Sequence, residues 1–158
     1  NFRSVGRSQG VFEGGPGELG DAASALDWLQ SMNPESSECW VAGYSFGAWI
    51  GMQLLMRRPE IAGFISVSPP AGAKDFSFLA PCPSSGLIIQ GGKDDIVSEP
   101  AAANLASKLN AQRNIRVNYH QIPEADHYFT EQLLDLHQIV TTYVLKESKR
   151  KKKPLKKR

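Results

Sequence analysis

The feature that most constrains this chain is a five-residue stretch, Gly43-Tyr44-Ser45-Phe46-Gly47, set between two runs of different periodicity. Cys39 to Tyr44 is short and apolar and reads as a strand. Phe46 to Arg57 has helical spacing and stops at Pro59. Strand and helix therefore meet at a single residue, Ser45. Glycines on both sides leave room for the two elements to cross closely. A strand that turns straight into a helix seeds a parallel, layered α/β arrangement rather than a meander of hairpins.

The remaining sequence keeps that alternation. Asp21 to Ser31 has one apolar face made by Ala22, Ala25, Leu26 and Leu29. Gly63 to Ser68 is strand-like and closes on Pro69-Pro70. Ala71 to Ser84 has no period and reads as a connector or small lid. Gly86 to Gln90 is a third strand, Pro100 to Ala111 a helix, Ile115 to Ile122 a fourth strand, and Phe129 to Lys146 a long amphipathic helix. The fold class expected is α/β, with a mainly parallel sheet between helical layers. Asn1 to Gly20 is a Gly-rich loop, an opening that predicts N-terminal strands of the sheet missing from this chain.

The chemistry-bearing residues fall just past the strands. A serine at a sharp strand-to-helix turn is lifted above the sheet edge, and the following N–H groups face whatever approaches it. Ser45 is therefore the candidate nucleophile, with the Phe46 N–H as an oxyanion donor. A serine hydroxyl needs a base to take its proton and works best when a carboxylate fixes that base. The third strand is followed by Gly91-Gly92-Lys93-Asp94-Asp95-Ile96-Val97, and the fourth by Pro123-Glu124-Ala125-Asp126-His127. Loops at the C-terminal ends of parallel strands converge, so Asp94 or Asp95 and His127 can reach one point. Taken singly, each has a plainer reading: a polar turn for the aspartates, a solvated loop for the histidine. His120 lies within a strand and His137 within a helix, so His120 is read as a strand-face residue and His137 as a helix-surface or packing residue. Trp49 is expected to pack the elbow helix. Phe76 and Phe78 either line an apolar pocket or cap the core.

Charge and composition exclude other classes. The formal net charge is +2, but it is unevenly spread. Lys146 to Arg158 holds nine basic residues and one acid, for +8; the rest holds nine basic and fifteen acidic residues, for −6. An acidic body without a basic stripe is unsuited to specific nucleic-acid binding. The division expected is a domain over 1–146 and a basic, disordered tail over 147–158, whose charge suits only weak contact with an anionic surface. No apolar run is long enough for a transmembrane segment and no signal peptide is visible, so the expected location is cytoplasmic. His120, His127 and His137 lack metal-ligand spacing, so no metal and no cofactor is expected. Cys39 and Cys82 are read as free thiols, one of them in the core. Nothing in the sequence sets an oligomeric state.

These segments together resemble bacterial α/β-hydrolases of the dienelactone-hydrolase-like and Xaa-Pro-dipeptidyl-peptidase-like group. The resemblance runs from Asn1 to about Leu145. N-F-R-S-V-G-R-S-Q-G resembles the segment after that family's fourth strand, and G-Y-S-F-G its nucleophile elbow. G-G-K-D-D-I-V resembles its acid turn, G-x-x-D-x-x-V, a register that selects Asp94 over Asp95; P-E-A-D-H-Y-F resembles the segment carrying its histidine, His127. The resemblance implies a three-layer α/β-hydrolase sandwich and a serine hydrolase acting on small acyl substrates, esters or thioesters. It implies as an alternative Xaa-Pro-dipeptidyl-peptidase-like amide hydrolysis; a non-catalytic binding module on the same fold stands beside it as a reading from another class. Two departures stand out. The family's first strands and oxyanion loop have no counterpart, and dienelactone hydrolases proper carry Cys where this chain has Ser45.

Overall fold

The structure is a computed structural model that describes residues 1–151, and of Lys151 the backbone only. Four strands alternate with the helices. Helix α1 (Pro16–Met32) leads to β1 (Cys39–Tyr44), α2 (Phe46–Arg57) and β2 (Ile61–Val67). A single 3₁₀ turn (Ser77–Leu79) precedes β3 (Gly86–Gly91). Helix α3 (Glu99–Asn110), β4 (Val117–Ile122) and α4 (Leu133–Lys151) complete the order. The strands form one sheet in the order β1-β2-β3-β4, every pair parallel. Right-handed crossovers through helices are what such a sheet requires.

Burial follows from that layering. The two middle strands are covered on both faces, and β3 is buried at all six positions, Gly-Leu-Ile-Ile-Gln-Gly. On one face Phe64 and Ile88 pack against Leu26 of α1, Met52 and Leu55 of α2, and Leu105 and Leu109 of α3. On the other, Ile65, Leu87 and Ile89 meet Tyr143, Leu136 and Val140 of α4. The result is the three-layer α/β sandwich expected from the sequence.

Several boundaries move. Helix α1 starts at Pro16 rather than Asp21, because Pro suits a first turn and the Glu18 carboxylate accepts the Gly15 N–H at 2.7 Å and the Glu13 N–H at 2.9 Å. Arg3 then ties the N-terminal loop to that helix through a two-pronged contact with Asp21, at 2.7 and 2.8 Å. Helix α4 begins at Leu133, since Asp126 caps Thr130 in a separate turn. It runs to Lys151, past the boundary expected at Lys146, with Glu147 buried and facing Arg150. The rest of the expected tail, 152–158, lies outside the described residues. Phe76 belongs to the core and stacks on Phe78 at 5.9 Å; it also lines a cavity with Lys74, Asn104 and Gln112 that none of Ser45, Asp94 and His127 borders. Cys82 is buried, Cys39 half-buried, and both are free thiols.

Candidate active site

Ser45 sits at φ 50°, ψ −119°, a left-handed conformation that non-glycine residues rarely take. The sequence enforces it: β1 is pinned to β2 by the Ser45 N–H, which donates to the Val67 carbonyl at 2.8 Å, and α2 starts at once with Ala48 and Trp49 bonding back to the Ser45 carbonyl. A Cβ on Gly43 would lie 2.3 Å from the Gly47 carbonyl oxygen, so only glycine lets the strand pass under the helix there. Trp49, on the first turn of α2, donates its indole N–H to the Asp75 carbonyl at 2.9 Å and steadies the connector. Among the described residues the Phe46 N–H donates to no partner and lies at the positive end of α2.

The loop after β3 carries the acid. Asp94 has a fully buried carboxylate, whereas Asp95 is exposed. Asp94 Oδ1 accepts the N–H groups of Ile96 (2.9 Å) and Val97 (2.7 Å); Oδ2 accepts the side-chain amide of Gln90 at 2.8 Å. Burial alone would raise its pKa. The Val97 N–H, the His127 ring, the Ile96 N–H and the Gln90 amide outweigh that and hold the carboxyl below the usual aspartate range. The loop after β4 carries His127, itself buried. The two loops are stitched together by Gly92 N–H to the Ile122 carbonyl (2.8 Å), Lys93 N–H to the Ala125 carbonyl (2.9 Å) and an ion pair between Lys93 and Glu124.

These loops bring the three residues singled out in the sequence into one row. His127 Nδ1 lies 2.8 Å from Asp94 Oδ2, and His127 Nε2 lies 3.1 Å from Ser45 Oγ. Asp126, adjacent to the histidine, is turned away to cap Thr130. His120 lies exposed on β4, and His137 is exposed on α4, the surface rather than the packing reading. Two residues that the sequence does not single out touch the row. Tyr44, the variable residue of the elbow, donates its hydroxyl to the His127 carbonyl at 3.1 Å and sets its ring 5.2 Å from the imidazole. Gln90, whose carboxamide reaches Asp94, looked like the last residue of an apolar strand; a polar residue closing the run Gly-Leu-Ile-Ile was the available signal. Among the described residues no group of three or more His, Cys, Asp or Glu could hold a metal ion, and no helix is long and apolar enough to cross a membrane.

A parallel sheet layered between helices, with a strained serine at its first turn and loops converging past its strand ends, defines an α/β hydrolase fold. The comparisons with known proteins narrow this. The model of the dienelactone hydrolase family matches residues 14–153, and the chain belongs to that family. It is 48% identical over 149 residues to an uncharacterized protein of Rickettsia prowazekii, covering 92% of this chain and 63% of that one. Among solved structures it is similar to a protein of unknown function from Agrobacterium tumefaciens, whose name proposes an α/β hydrolase. There the identity is 55% and the TM-score 0.91, over 94% of this chain and 68% of that one. It is also similar to an α/β serine hydrolase without a lid from Xanthomonas campestris, at 33% identity and TM-score 0.79, over 92% and 64% of the two chains. The chain thus spans a little under two thirds of its curated relative.

Proposed function

We propose that Ser45, His127 and Asp94 form the catalytic triad of a serine hydrolase that cleaves small acyl substrates, esters or thioesters. The observation that carries this reading is the unbroken row Ser45 Oγ–His127 Nε2/Nδ1–Asp94 Oδ2, at 3.1 and 2.8 Å, built on a strained turn. His127 takes the Ser45 proton as Oγ attacks the carbonyl carbon. Asp94, held ionised by its donors, keeps the imidazole in the tautomer that accepts that proton and stabilises the imidazolium. The oxygen of the tetrahedral intermediate turns toward the Phe46 N–H. The imidazolium then protonates the leaving group, and a water activated by the same histidine releases the acyl group from Ser45.

The relatives support the class without naming a substrate. The Xanthomonas campestris protein is described as a serine hydrolase without a lid. Here Tyr44 and Tyr128 flank the His127 ring and stand exposed, and Ile96 is exposed on the acid loop, which supports open access for a small acyl chain. The test is a panel of short-chain p-nitrophenyl esters, acyl thioesters and Xaa-Pro amides, each assayed with Ser45→Ala. The expected result is turnover of esters or thioesters above amides and a loss on the order of a million-fold in the variant. Preference for Xaa-Pro amides would move the activity to peptide hydrolysis. No Ser45-dependent turnover of any substrate would leave a binding module.

A further inference from the structure

Gln90 is fully buried at the C-terminal end of the most enclosed strand. Its Nε2 faces three oxygens: Asp94 Oδ2 at 2.8 Å, the Val97 carbonyl at 3.1 Å and the Gly91 carbonyl at 3.3 Å. All three are acceptors. An amide turned the other way would press its own oxygen against a carboxylate and two carbonyls, so the NH₂ end must face the loop. The other end pays for this: Gln90 Oε1 is buried without a hydrogen-bond partner in the described structure. A residue chosen only to fill this space would be apolar, as Leu87, Ile88 and Ile89 before it are.

Resting on the triad reading, we propose that Gln90 is a positioning residue that anchors the Asp94 carboxylate to the sheet and aims Oδ2 at the His127 ring. The two carboxylate oxygens are held differently. Oδ1 is gripped by its own loop, through Ile96 and Val97, which moves with Asp94. Oδ2, the oxygen that faces His127 Nδ1, has Gln90 as its second donor, and that donor stands on β3. Without it the carboxylate keeps its loop contacts but loses its link to the rigid strand. Oδ2 also becomes more basic, which favours the imidazolium over the neutral, proton-accepting imidazole. The other titratable groups around the pair are Tyr44 from β1 and Asp126 and Tyr128 from the histidine loop, none of which the substitution touches.

The experiment is the pH dependence of the labelling rate of Ser45 by a fluorophosphonate, in the intact protein. Ser45→Ala runs alongside, and near-UV circular dichroism reports the fold. Gln90→Met keeps length and volume and removes the amide. Its labelling should slow about tenfold, with the acid limb of the profile displaced upward. Gln90→Glu donates only while protonated, sharing a proton with Asp94. It should label near the wild-type rate at acid to neutral pH and fall away at alkaline pH. An unmoved limb in a folded Gln90→Met protein would overturn the proposal, because a mere brace lowers stability without altering the imidazole. Failure of both variants to reach the wild-type fold would also count against it, making Gln90 a folding residue. If wild type itself labels no faster than Ser45→Ala, the triad reading fails instead.

Discussion

At Ser45 the backbone stores strain that α2 and β2 over-determine, and at Asp94 a buried charge is offset by four donors. The two aspartates of the acid loop are the sharpest test of this geometry. Asp94→Asn should lose up to about 10⁴ in kcat, because an amide favours the wrong histidine tautomer. Asp95→Asn, on an exposed side chain, should stay within about twofold of wild type; steady-state kinetics on a p-nitrophenyl ester separates them, and equal losses would count against the assignment. Asp94 also ties stability to pH. Its folded pKa is depressed, so its stabilisation is present above the unfolded carboxyl value and is lost as pH falls through the lower folded value. The melting-temperature gap between wild type and Asp94→Asn should therefore be constant above about pH 5 and narrow below about pH 4. Tyr44→Phe removes the hydroxyl that holds the His127 carbonyl, and should cost about 0.5–1.5 kcal/mol of stability and lower kcat several-fold. Ser45, Asp94 and His127 stand out in the sequence because strand ends, chain order and a family register all point at them, and the structure sets them in one hydrogen-bonded row. Tyr44 and Gln90 were illegible because their roles arise from contacts: a tyrosine in a variable slot and a glutamine closing a strand look the same whether or not they touch the site.

The elements were legible wherever periodicity was long and the breakers were sharp. Helix α2 carries helical spacing between a glycine and a proline, and was read as Phe46 to Arg57, its observed span. Pro16-Gly17 looks like loop and predicts a later start for helix α1; what extends the helix is the capping by Glu18, a carboxylate buried only after folding. For helix α4 the run of like charge predicts an end near Lys146. The chain instead carries the helix on to Lys151, with Glu147 tucked toward the body. The crossing of β1 and α2 gives an element-level prediction. Gly43→Ala would drive a methyl group into the backbone of Gly47 and Ala48, at 2.3 to 2.6 Å, and should lower stability by about 1–3 kcal/mol or more. Gly20→Ala, on α1 with nothing within 4 Å of the new carbon, should instead raise it by about 0.5–1 kcal/mol. Thermal melts of the two variants should move in opposite directions.

On the scale of the whole molecule, the site is a property of the sheet rather than of any one loop. Ser45, Asp94 and His127 are up to 82 residues apart in sequence and meet because three strand ends share one edge. The α/β class, the parallel sheet and the helical layers were readable in the alternation of the sequence. The strand order was not, since periodicity carries no information about neighbours. At the outer end of the sheet β1 is only half-buried, and Trp28, Leu29 and Met32 of α1 are exposed. An uncovered strand edge recruits further strands. These 158 residues expressed alone are therefore expected to self-associate, and size-exclusion chromatography showing a stable monomer would contradict that. The central claim, that Ser45 is a nucleophile activated by His127, is tested most directly by mass-mapped labelling with a fluorophosphonate probe. The account predicts a single adduct on the peptide containing Ser45, lost in Ser45→Ala and slowed by orders of magnitude in His127→Ala. An adduct elsewhere, or labelling of Ser45 that does not depend on His127, would contradict it.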